Sequence, residues 1–189
     1  MRTATFIILL MIGFASTQGQ DRATTSPLER SRGAAVDLLT TLKATLVNHL
    51  QQGGAAAALA LCADTAQVLT ESIATRHGVT MRRVSSRWRN PLDAPDEYEA
   101  EVLEEFQRRL ENGTLSDTTE HAAVSADGRG RIFRYLRPIL IQRPCLSCHG
   151  EALAPGLTDA LKQYYPQDQA TGYSEGDLRG AVSVQLVLE

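Results

Sequence analysis

The chain has 189 residues, 43% of them hydrophobic and 22% charged, with 19 Lys+Arg against 22 Asp+Glu for a formal net charge of -3. That balance suits one globular domain able to bury its own core, and it excludes collagen-like, disordered and multidomain readings. It also argues against a nucleic-acid surface, because the one dense basic cluster, Arg82 to Arg89, is offset by the acidic run that follows it.

Residues 1–20 read as a secretory signal peptide. Met1-Arg2 leads into an apolar stretch, Phe6 to Phe14 interrupted only by Gly13, and small and polar residues continue to Asp21. The stretch is well short of the roughly 20 residues that span a bilayer, so a cleaved leader is expected, not an anchor. Cleavage falls between Ala15 and Ala23, and with no cysteine in the segment there is no site for lipidation. Residues 21–189 are then a single exported domain, periplasmic or otherwise outside the cytoplasm, with no stable membrane span. Loss of Arg2 makes it one unit more acidic than its precursor.

Ser26-Pro27-Leu28-Glu29 is a helix start: Ser26 suits the N-cap, Pro27 the first helical position and Glu29 the return bond of a capping box. Ala35, Leu38, Leu39, Leu42, Leu46, Val47 and Leu50 then recur at helical spacing, and Gly53-Gly54 predicts an end. A second helix is expected from Ala55 to His77, alanine-rich over Ala55 to Ala66, carrying Cys62 and stopping at Gly78. Val79 to Ser86 reads as a strand. Pro91 and Pro95 impose a loop on Arg89 to Pro95, and Pro95 suits the first turn of a third helix ending at Asn112-Gly113. The acidic residues from Asp96 to Glu105 read as that helix's solvated face.

An Asp127-Gly128 turn between His121 to Ala126 and Arg131 to Arg137 is the strongest hairpin signal. A short helix over Leu157 to Tyr164 and a glycine-rich loop follow. Val182, Val184, Leu186 and Leu188 alternate with Ser183, Gln185 and Val187 in a strand read as half-buried. Helices first and an antiparallel sheet with one covered face define an α+β domain. The strands around Val79 to Ser86, His121 to Arg137 and Arg179 to Leu188 should share that sheet.

The chemistry concentrates in Cys145-Leu146-Ser147-Cys148-His149. Two thiols three positions apart can each take one vinyl group of a porphyrin while the next residue supplies an imidazole to the iron, the pattern of covalent haem c. A zinc site wants four ligands, and Cys62 with one of His49, His77 or His121 would still be atypical. A thioredoxin-type pair opens a helix after a strand, which fits poorly with Pro144 before the motif and His149-Gly150 after it.

The sixth iron ligand has several candidates after leader removal: Cys62, Met81, His49, His77 and His121. Cys62 is an odd thiol in an oxidising compartment, and Ala58 and Ala66, one helical turn to either side, would let a flat macrocycle approach. The same residue also fits a buried structural cysteine. Met81 reads as core, His49 and His77 sit at helix C-terminal turns where the dipole favours imidazolium, and His121 opens a strand.

Five motifs, in order, resemble the haem c sensor-like family first described from a cyanobacterial protein and formerly a domain of unknown function. They are Leu61-Cys62-Ala63-Asp64-Thr65-Ala66, Arg83-Val84-Ser85, the stretch from Arg89 to Glu99, Cys145 to Gly150, and Tyr165-Pro166 to Gly172-Tyr173 with Gly176 to Ala181. Asp93 stands where that pattern has Asn, and Tyr98 where it has Trp. The resemblance implies a PAS-like fold with N-terminal helices around one covalent haem c, held by Cys145 and Cys148 through thioethers and by His149 and Cys62 as axial ligands. Arg83, Arg87 and Arg89 are candidate contacts for the haem propionates, which need cations.

Two protein ligands leave no open coordination position, so an enzyme is not expected. Thiolate ligation favours ferric iron and a low potential, which suits a redox sensor whose Cys62 helix shifts on reduction or ligand loss. A small periplasmic electron-transfer cytochrome is the alternative, and a gas-binding module a third reading that requires Cys62 to dissociate. With no signalling module before the final Glu189, a sensor of this design would act through a separate redox or signalling partner.

Overall fold

The computed structural model describes residues 25–126 and 130–188, apart from the side chains of residues 57 and 60–64. The expected signal peptide and the Asp127-Gly128 turn lie outside the described residues.

Helix α1 (Pro27–His77) starts as the sequence requires. Glu29 N–H donates to Ser26 Oγ at 3.2 Å, and Ser26 N–H donates back to the Glu29 carboxylate at 3.1 Å. It ends at Gly78, whose left-handed conformation (φ 63°) returns its N–H to Ala74 and Thr75. The expected break at Gly53-Gly54 is instead a kink. Gly54 adopts φ 70°, ψ -170°, and the chain resumes its helix on the far side, giving arms 27–53 and 55–77.

Strand β1 (Thr80–Val84), a 3-10 turn (Pro91–Asp93) and helix α2 (Glu97–Glu111) follow. The N-cap of α2 is Asp96, so Pro95 lies outside the helix and not in its first turn. The acidic face is also not wholly solvated, since Glu99 is completely buried. Strands β2 (His121–Ala126) and β3 (Arg131–Leu140), the 3-10 turn Arg143–Cys145, helix α3 (Leu146–His149), helix α4 (Leu157–Tyr164) and strand β4 (Leu178–Leu188) complete the chain.

The four strands form one antiparallel sheet in the order β1-β4-β3-β2, so the three expected strand regions do share a sheet in an α+β fold. Both of its faces are covered, not one. Met81, Tyr135, Val182 and Val184 meet Ala34, Leu38 and Ile73 of α1, while Val84, Leu136 and Ala181 on the opposite face meet Val102, Leu103 and Phe106 of α2. Full burial of each large apolar side chain contributes about 1.5–3 kcal/mol. Central β4 is therefore buried on alternate and intervening residues alike, including Ser183. Gly180 permits the close β1 approach: a Cβ there would lie 2.2 Å from the Val84 carbonyl oxygen. Among the described residues no helix is long and apolar enough to cross a membrane.

Tyr135 is fully buried in the sheet core, and its hydroxyl donates to Glu120 at 3.1 Å. Burial, then the Glu120 charge, pushes its phenol up to about 12 from an ordinary 10.0. The unfolded chain loses this proton first, so the Tyr135 contribution to stability is constant below pH 10 and falls as pH rises towards 12. Denaturant midpoints measured across that window should decline more steeply in the wild type than in Tyr135→Phe, where the Tyr98 phenol, also raised by burial, still contributes.

Candidate cofactor site

The 3-10 turn that Pro144 helps to initiate ends at Cys145 and runs directly into the single turn of α3. Cys145, Cys148 and His149 thus occupy positions i, i+3 and i+4 of one helical path and share a face. Gly150 closes the turn with its N–H on Leu146 O at 3.0 Å, and a Cβ at this position would sit 2.7 Å from that oxygen.

This face opens on two adjoining cavities of about 390 and 170 Å³, both bordered by Cys145, His149, Arg83, Asp93 and Arg179. Together they fall in the roughly 300–1,000 Å³ range of small-molecule and cofactor sites. Cys148, Arg89, Ala58 and Ala66 line the smaller one. The opposite wall is therefore the 55–77 arm of α1, on which Cys62 lies one helical turn from both Ala58 and Ala66. Leu42 and Leu46 of the 27–53 arm extend the same apolar wall.

His149 is held from behind. Its Nδ1 lies 2.6 Å from the Ala170 carbonyl oxygen, which can only accept, so Nδ1 carries the proton and Nε2 keeps its lone pair. The ring meets Tyr173 edge-on, with centroids 6.3 Å apart. Burial first, then the Arg179 and Arg89 charges, hold the imidazole well below its usual range and therefore neutral.

The three candidate arginines separate. Arg83 borders both cavities, its Nε is buried without a hydrogen-bond partner, and its nearest anion is Asp93 at 3.7 Å. Arg89 is buried against Asp168 and the carbonyls of Cys148 and Ala170. Arg87 borders neither cavity. It donates to the carbonyls of Gln169 and Thr171, and its guanidinium lies 4.2 Å over the Tyr173 ring. Sequence reasoning missed Arg179 as a site residue. Its side chain is pulled below its usual basicity by burial while bonded to Ser85 Oγ at 2.7 Å. Asp93 was missed as well, and burial raises its carboxyl. Both stand in the quoted motifs, and Gly180 beside Arg179 was the available signal of close backbone approach.

The other candidate iron ligands are occupied elsewhere or lie away from the cavities. Met81 is in the sheet core, His77 Nε2 is 3.1 Å from Asp37, and His121 bonds Tyr98 and Glu105. Half-buried His49 lies on α1 and borders neither cavity. Among the described residues no group of three or more His, Cys, Asp and Glu side chains could hold a metal ion.

The fold is an α+β domain in which a kinked helix faces a Cys-x-x-Cys-His turn across a partly open cavity of cofactor size. The chain matches the Tll0287-like family over residues 15–186 and belongs to it. This agrees with the family read from the motifs. Among solved structures it is similar to the crystal structure of the cyanobacterial heme-protein Tll0287, with a TM-score of 0.61 and 28% identity, covering 87% of this chain and 98% of that one. Comparison with curated proteins finds no match.

Proposed function

We propose that this chain is an exported mono-haem c-type protein acting as a redox sensor, with Cys145 and Cys148 as thioether attachment points and His149 and Cys62 as axial ligands. The observation that carries this reading is the convergence of Cys145, Cys148 and the Nε2-available His149 on one cavity whose far wall is the turn of Ala58 and Ala66. The residues present fit the group. Two methyl side chains leave room for a flat ring, apolar Leu42 and Leu46 match its edge, and the unpartnered Arg83 Nε beside buried Arg179 suits its carboxylates.

Bound haem would supply a one-electron couple. The Ala170 carbonyl fixes the His149 tautomer and ring plane, and Arg83 and Arg179 offset anionic charge inside the fold. A Cys62 thiolate would favour the oxidised state and would hold less firmly on reduction, and the 55–77 arm that carries it begins at the Gly54 kink. That kink supports a sensor over a simple carrier, with a separate redox or signalling protein reading the arm and no catalytic role.

Produced with a cytochrome maturation system, the protein should keep its colour through denaturing electrophoresis, and Cys145→Ala or Cys148→Ala should weaken that retention. A colourless, zinc-containing protein would overturn the reading.

A further inference from the structure

The loop after α4 is tied to the motif by more charge than holding a histidine requires. One Asp168 oxygen accepts the Ala170 N–H at 2.8 Å, and the other lies 3.2 Å from Arg89 Nε and 3.1 Å from Nη2. Arg89 Nη2 donates onward to the Cys148 carbonyl at 2.6 Å and to the Ala170 carbonyl at 3.2 Å. The Ala170 oxygen is therefore shared, taking both the His149 Nδ1–H and a guanidinium N–H. Tyr173 N–H on His149 O at 2.9 Å and Gly172 N–H on Gly150 O at 3.0 Å complete the attachment.

The Arg89 and Asp168 side chains are only 10% and 9% exposed. A buried ion pair offsets its desolvation cost poorly, so stability alone is a weak account of its placement. Electrostatics gives a better one. A cation on the Ala170 oxygen makes that carbonyl a poorer acceptor for Nδ1–H, limiting the electron donation available at Nε2, and the nearby anion works in the opposite sense.

We infer that Arg89 and Asp168 form a charged clamp that positions the His149 ring and, through opposing contributions at the Ala170 carbonyl, sets the reduction potential of the group His149 ligates. The inference rests on the haem reading above. Neither side chain is placed on the iron, so both are positioning residues.

The test compares holoprotein midpoint potentials and ferric spectra for Arg89→Gln, Arg89→Lys and Asp168→Asn. Arg89→Gln should lower the potential, because the carbonyl regains acceptor strength and Asp168 is left uncompensated. Asp168→Asn, whose amide oxygen can still accept the Ala170 N–H, should raise it. Arg89→Lys keeps the charge and should stay closest to wild type. Each of the first two shifts should correspond to about a tenfold change in the ferric–ferrous equilibrium, or 59 mV for a one-electron couple. A purely structural clamp would loosen His149 in both variants and move them in the same direction, so same-sign or absent shifts overturn the inference. Should Arg89→Gln fail to yield holoprotein, Asp168→Asn alone decides, and a potential that does not rise overturns it. Failure of the haem reading is visible separately, as a wild type that retains no chromophore, and it removes both proposals.

Discussion

Replacing Cys62 with alanine is expected to raise the midpoint potential by on the order of 100 mV, inside the roughly 0.8 V span that axial ligands command. The oxidised wild type should show low-spin thiolate character, and the variant should open a position that takes water or added imidazole. The sign follows from charge: an anionic ligand stabilises the ferric state, and its removal withdraws that preference. The location follows from Ala58 and Ala66, which border the cavity one turn to either side of residue 62. His77→Ala, His121→Ala and Met81→Leu should leave spectrum and potential unchanged, because these residues bond Asp37, bond Tyr98 and Glu105, and fill the sheet core respectively. If Cys62→Ala keeps the wild-type spectrum and potential, Cys62 is a core residue and the electron-carrier reading replaces the sensor.

The largest effect on stability is expected at Glu99. Its fully buried carboxylate accepts from Arg82, lies 3.6 Å from Arg134 Nη2, and caps α2 by taking the Asp96 N–H at 2.9 Å. Arg134 also stacks 4.2 Å over Tyr98, with its Nε buried and unpartnered. Glu99→Ala removes the carboxylate between Arg82 and Arg134, leaving Arg82 its carbonyl acceptors at Leu92 and Ala94 and Arg134 its pair with Asp96, and takes away half the capping box, so it should cost about 3 kcal/mol, the low end of the range for breaking a buried pair. Glu99→Gln, which can retain the cap, should cost less. Denaturant unfolding of both variants checks this, and a loss below about 1 kcal/mol in Glu99→Ala would show that water replaces the carboxylate.

Local signals were legible where the physics is local. Ser26 with Glu29 and Gly78 carry their own capping signals, and the structure places them, and the helix Leu157–Tyr164, as read. The cysteine–histidine turn was legible for the same reason, since its geometry is contained in five residues. Gly53-Gly54 misled because a glycine pair signals loss of helical preference without saying whether the chain resumes in the same element. Glu99 misled because its partners arrive from β1 and β3, and strand register is set by the whole sheet. The Arg89 and Asp168 pair, 79 residues apart in the chain, was invisible for the same reason. Period-two alternation in β4 indicated a strand but could not show that a second helix covers its other face.

The strand order has a kinetic meaning. β4 is made last among the described elements yet lies between β1 and β3, bonding a partner about a hundred residues upstream. Neither covered face can be completed until residues 178–188 have emerged, because Val182 and Val184 belong to the core on one face and Ala181 to the core on the other. Closing so long a loop before its contacts reward it places the domain among slow, nonlocal folders. The cysteine–histidine turn precedes that strand in synthesis, so the chain passes through an interval in which the turn has been made and the sheet is still incomplete.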